Sequence, residues 1–124
     1  MAITLEDNAR NASVNAVAAL LNGGTIQLQT SGGAEVATLT FGSPAFAPAS
    51  GGTAAANAIA EDATAIAGTI TQFVARNSAS ALVLSGSVST IVDGTGDITM
   101  SSVVIADDET IRIDSMNMTQ NATL

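Results

Sequence analysis

The sequence has no cysteine, no histidine, no lysine, no tryptophan and no tyrosine. Each absence closes off a class of chemistry. Without cysteine there is neither a disulfide framework nor a thiolate metal site, and the usual redox clue to compartment is missing. Without histidine, cysteine or lysine, the many serines lack the partners of both the usual nucleophile-base pair and its lysine variant, so the chain is expected not to be an enzyme. The glycine pairs at 23–24, 32–33 and 51–52 have neither the spacing nor the following lysine of a phosphate cradle and read as turns. No apolar run approaches the roughly 20 residues that span a bilayer. The opening MAITLEDNAR is acidic where a secretory leader is basic. These features predict a soluble protein made in the cytosol, or exported without a cleaved leader, with no membrane partner.

Positive charge is almost as scarce. Arg10, Arg76 and Arg112 stand against eleven acids, for a net charge of -8 and an isoelectric point near 4.1. Three scattered guanidiniums cannot displace the counterions of a phosphate backbone, so no nucleic-acid partner is expected. The acidity reads instead as a device that keeps a β-rich surface soluble. Aromatic residues are limited to Phe41, Phe46 and Phe73, although 47% of the chain is hydrophobic. An aromatic side chain buries about 150–250 Å². Their scarcity predicts a small-grained core that leans on backbone pairing or on a neighbouring subunit, as in a component of an assembly. The 124 residues suit one domain.

The strongest pattern present lies in residues 65–89. Ile66, Ile70 and Val74 share one parity and Phe73 the other, which suits a central strand covered on both faces. A polar turn at 77–80 leads into a second arm in which Leu82, Leu84 and Val88 share a face. Upstream, Thr4 is placed to cap a helix starting near Leu5, with Glu6 and Asp7 at its positive end. Val14, Val17, Ala18 and Leu21 follow helical spacing up to an Asn22-Gly23 stop, and Arg10, Asn11 and Asn15 occupy the opposite face. Residues 25–30 and 35–41 then read as an antiparallel hairpin. The segment 42–53, with both prolines, reads as an ordered connection in which Phe46 either plugs its own domain or docks on a neighbour.

Residues 54–59 fit helix or strand and are assigned as extended. Glu61-Asp62 marks an exposed bend, DGTGD at 93–97 a turn, 98–105 a strand, and Asp107-Asp108-Glu109 an acidic turn. In the last strand, 110–119, Ile111 and Ile113 are odd while Met116 and Met118 are even. One extra residue near Asp114-Ser115 would bring all four to one side, so a β-bulge is predicted there, with a crossing between sheets as the alternative. The sum is a mainly β single domain over 1–124. An N-terminal arm and short α-helix (1–23) precede an antiparallel β-sandwich of jelly-roll type (24–119), and a loose tail (120–124) follows.

Asp93, Asp97, Asp107, Asp108 and Glu109 are dense enough to raise Ca²⁺, but their spacing fits neither an EF-hand nor a Ca²⁺-binding nonapeptide repeat, and solvated turns are the preferred reading. No metal, cofactor or catalytic residue is therefore assigned. Paired carboxylates for glycoside hydrolysis lack the aromatic platforms that grip sugar. Met116 and Met118 fit core filling or an adaptable patch at a subunit boundary.

Asn22-Gly23-Gly24-Thr25-Ile26 after a short helix, Ser43-Pro44-Ala45-Phe46 with its Ala/Gly-rich continuation, Ala67-Gly68-Thr69-Ile70-Thr71 with Phe73, Gly86-Ser87-Val88, and the closing strands from Val104-Ile105 to Ile113 together resemble a family of small bacteriophage and prophage structural proteins. The tryptophan that the family would place near Gln72 is absent here. The resemblance implies a virion component. Within it, a capsid decoration or cement protein that binds the major capsid protein on the outer shell as a homotrimer stands first. A tail or head-tail connector component is the alternative, and a bacterial surface or adhesion module lies outside the family. The candidate interface residues are Leu5, Val14, Val17 and Leu21 on the arm and helix, with Phe46, Met116 and Met118.

Overall fold

A computed structural model describes residues 3–94, 98–113 and 116–123. One helix, α1 (Asp7–Leu20), precedes nine strands: β1 (Thr25–Gln29), β2 (Glu35–Thr40), β3 (Thr53–Ala55), β4 (Gly68–Thr69), β5 (Gln72–Arg76), β6 (Leu82–Thr90), β7 (Ile98–Met100), β8 (Val104–Ile105) and β9 (Asn117–Thr119). The protein is mainly β with a short N-terminal helix, as its sequence predicts.

The main sheet has the order β2-β1-β5-β6-β7, and β3-β9 and β4-β8 form separate two-stranded ladders. β5 is thus the central strand. Along it, Ile26 faces Leu39 and Ala75, and Leu28 faces Ala37 and Phe73. These side chains share one face because alternate residues of a strand point the same way. All six are buried. Burying side chains of this size contributes about 1.5–3 kcal/mol for each Leu, Ile or Phe. Val14 and Ala18 of α1 and Leu21 just past its end belong to the same core, as does Phe46, whose ring lies 5.8 Å from that of Phe41. Phe46 therefore plugs its own domain.

Several expectations need correction. The sheet is mixed rather than purely antiparallel, because β7 runs parallel to β6 with Val88 opposite Ile98. Parallel neighbours usually need a long crossover; here only residues 91–97 lie between the two strands, and the overlap is three residue pairs. The first arm of the central hairpin is broken. Gly68 and Thr69 pair with β8, then Ile70 donates to Val103 O and Thr71 to Gln29 O, carrying the chain across to β1. Ile70 and Phe73 are both buried despite opposite parity, since the crossing resets the alternation. Residues 98–105 likewise split into β7 and β8, which have different partners.

Thr4 does not cap the helix. It bridges Thr123, and Leu5 N–H donates to Ala122 O at 2.6 Å, so the arm is extended until Glu6 takes the N-cap position without a side-chain cap bond. Residues 120–123 accordingly lie along the arm, and Gln120 N–H donates to Gly52 O. Ile111 bridges Asp62, while Met118 pairs with Ala54, so the chain changes partner between them. Ile111, Ile113 and Met116 are all buried and Met118 packs against the same core. The bulge expected at 114–115 lies outside the described residues, as do positions 95–97 of the DGTGD turn.

Candidate functional site

A partly apolar surface is built by α1 and the C-terminal strand. The helix buries Val14 and Ala18, with Leu21 just past its end, a spacing of four and then three that aligns them on one stripe. On one flank of that stripe Ser13, Val14 and Val17 meet Met118, Thr119 and Gln120 around a groove of about 250 Å³. On the other, Asn15, Ala18, Ala19 and Asn22 face Pro44, Phe46, Ala47 and Pro48 around one of about 290 Å³. None of these lining residues is ionisable.

Side chains of the helix fasten it to backbone rather than to other side chains. Asn11 Oδ1 accepts from Gly52 N–H at 2.8 Å, Asn15 Oδ1 from Ala49 N–H at 2.9 Å, and Asn22 Oδ1 from Ala45 N–H at 2.8 Å. The Arg10 guanidinium donates to Gln120 O at 3.0 Å and to Gly51 O at 2.8 Å, and pairs with Asp7 at 3.0 Å. The polar face read from the sequence as pointing away thus grips the 45–52 connection. The recurrence of asparagine at 11, 15 and 22, all on one helical face, was the available signal. That connection has two prolines and few strand partners, so its backbone donors need side-chain acceptors.

The candidate interface residues divide. Val14, Leu21, Phe46 and Met116 are buried within the chain; Leu5 and Met118 are half-buried, and Val17 is 38% exposed. Val14, Val17 and Met118 meet in the first groove, whereas Leu5, Leu21 and Met116 line neither groove and Phe46 lines the second. Two positions not singled out from the sequence are more open, Ile3 on the arm at 67% and Leu20 on the helix at 54%. Leu20 falls outside the core stripe at the helical period, which is the signal that identifies it.

The acidic residues act locally. Asp107 Oδ1 accepts from Ala67 N–H at 2.8 Å, and Glu109 Oε2 from Ala106 N–H at 3.1 Å. Among the described residues no three acidic side chains are grouped to hold a metal ion. Asp62 is more than an exposed bend. Its carboxylate accepts from Thr38 N–H at 2.9 Å and from the Thr64 N–H and hydroxyl at 2.7 Å. The Thr38 amide, and after it the Thr64 groups, hold its carboxyl below the usual range despite partial burial. On the outer face of the sheet, Gln72 donates to Gln29, Gln29 to Gln27, and Gln27 to Glu35, which also accepts from the Thr38 hydroxyl. No described helix is long and apolar enough to cross a membrane. Comparison with protein-family models, curated proteins and solved structures returns no match.

Proposed function

We propose that this protein is a bacteriophage virion structural protein, a decoration or cement protein that binds the major capsid protein on the outer shell and bridges its subunits. The finer architecture in this reading is a jelly-roll-type sandwich, with β3-β9 and β4-β8 as parts of the second layer, and the working form is a homotrimer on the particle surface.

The observation that carries the reading is the pair of uncharged, partly apolar grooves along the helix. Val17 lines the first groove with Val14 and Met118, and Ile3 on the arm and Leu20 on the helix are open to solvent. The helix presenting them is held by Arg10, Asn11, Asn15 and Asn22, so a partner meets a surface already in place and ordering costs on binding are small. Burial of such a surface against a shell stabilises it without chemistry. A net charge of -8 keeps the rest of the chain solvated and away from packaged nucleic acid.

The direct test is the copy number and position of the protein in an intact particle, together with its addition to capsids stripped of it. Saturable binding that raises the temperature at which the shell opens supports the reading. Rings or tubes of the isolated protein in negative stain favour a tail or connector role. A monomer that ignores capsids and binds a glycan sinks both.

A further inference from the structure

One edge of the main sheet is closed by a strap. Across the β1-β2 ladder Phe41 N–H donates to Gly24 O, and Ile26 faces Leu39. Alternation in an antiparallel ladder therefore turns the backbone groups of Val36, Thr38 and Thr40 outward. Residues 60–66 take one backbone group from each of the three. Ala60 N–H donates to Thr40 O at 2.9 Å, Ile66 N–H donates to Val36 O at 2.8 Å, and between them Thr38 N–H donates to the Asp62 carboxylate. The strap is held from behind as well. Asp62 and Ile111 exchange backbone bonds of 2.9 and 2.7 Å, Asp108 N–H donates to Ala65 O at 2.8 Å, and Ala67 N–H to the Asp107 carboxylate at 2.8 Å.

Of the three bonds to β2, the one through Asp62 depends on charge. Both of its oxygens accept: Oδ2 faces the Thr38 amide and Oδ1 the Thr64 amide and hydroxyl. The two amides cannot turn away. Protonation removes the charge that strengthens the Thr38 bond, and a proton on Oδ2 occupies a lone pair facing that fixed amide, whereas on Oδ1 the Thr64 hydroxyl can turn to accept it. Ionisable groups on the packed elements are Glu61 on the strap, Glu35 on β2, and Asp107, Asp108, Glu109 and Arg112 behind it. Glu35 is bonded to Gln27 and the Thr38 hydroxyl, and Asp107 and Glu109 to backbone amides. Among these, Asp62 is the one whose carboxylate bonds the backbone of β2 in the described residues.

We propose that residues 60–66 are an acid-released strap: protonating Asp62 detaches the strap from β2 and uncovers the sheet edge while the β1-β5-β6 ladder stays folded. The lowered proton affinity of Asp62 accords with this. An uncovered edge is a template for pairing with another strand, so the strap also keeps copies of the chain from joining through β2.

Amide hydrogen exchange tests the device on the intact chain. After correction for the intrinsic pH dependence, Thr38 exchange is expected to accelerate about tenfold or more between pH 5 and pH 2.5, while the Ala75 amide on β5 keeps its protection. D62N is expected to show the fast Thr38 rate already at pH 7 and no acceleration on acidification, and E61Q to follow the wild type. Constant Thr38 protection across that range in the wild type overturns the proposal. So does simultaneous loss of Thr38 and Ala75 protection, which is global unfolding. The wild-type measurement decides even where D62N does not fold. The device does not rest on the virion reading, and capsid binding at neutral pH is unaffected by its failure.

Discussion

At the scale of single residues, backbone geometry decides more here than side-chain chemistry. A Cβ on Gly24 would lie 2.1 Å from the carbonyl oxygen of Arg76. Neither partner is a flexible side-chain end, so β1 and β5 must separate at the point where the helix hands over to the sheet. Gly24→Ala is expected to lower the unfolding free energy by about 2 kcal/mol or more, measured by urea denaturation. Ser80 sits at φ 67°, where a side chain strains the backbone. The surrounding turn is independently secured by Asn77, whose Oδ1 accepts from the amides of Ala79 and Ala81. Ser80→Gly removes the strain, and a gain of about 0.5–1 kcal/mol is expected in the same assay. For Asp62 the folded value lies below the unfolded one, so its contribution is fully present above the ordinary carboxylate value of 3.8 and is lost as pH falls through the folded value. Acid titration of stability in wild type and D62N, differing above the ordinary carboxylate value and converging as pH falls through the folded value, checks that sign.

At the scale of elements, the helix is a clamp. Its hydrophobic stripe is short, and one charged and three amide side chains tie it to residues 45–52 and to Gln120. Gly52 has φ 81° and passes so close to Arg10 that a Cβ there would lie 2.6 Å from Nε. Arg10→Ala removes two bonds to backbone carbonyls. A loss of about 1–3 kcal/mol is expected, with faster exchange and earlier proteolytic cleavage in the 49–53 connection. A uniform loss of protection over the whole chain would instead show that the clamp is not a local unit. The helix, β1, β2 and the β5-β6 hairpin were legible in the sequence because each is a local period bounded by its own turn. The breaks at 70–71 and 101–103 were not, because each is set by which strand lies alongside.

At the scale of the whole molecule, the chain is acidic overall while the grooves beside the helix are lined without charge, so a charge introduced there tests that surface. Val17 and Leu20 are exposed, so Val17→Asp and Leu20→Asp are expected to leave stability within about 0.5 kcal/mol. If the helix grips the shell, each weakens binding to stripped capsids at least tenfold, about 1.4 kcal/mol. Unchanged binding by both variants moves the interface elsewhere on the molecule. Of the seven residues proposed from the sequence for that interface, four turned out to be core. An apolar residue at a helical or strand period reports that one side of the element is covered, and does not say whether the cover comes from the same chain.

The amino-acid sequence alone determined the β-rich class, the single helix, the central place of the 72–76 strand and the side-chain chemistry the chain lacks. These follow from composition and local alternation, which need no knowledge of distant neighbours. Tertiary structure decided the rest: the parallel β6-β7 pair, the change of partner after Ile70, the strap on β2 and the asparagine clamp. Each of these satisfies a backbone donor or acceptor with a group far along the chain, and no local pattern records which distant group that will be.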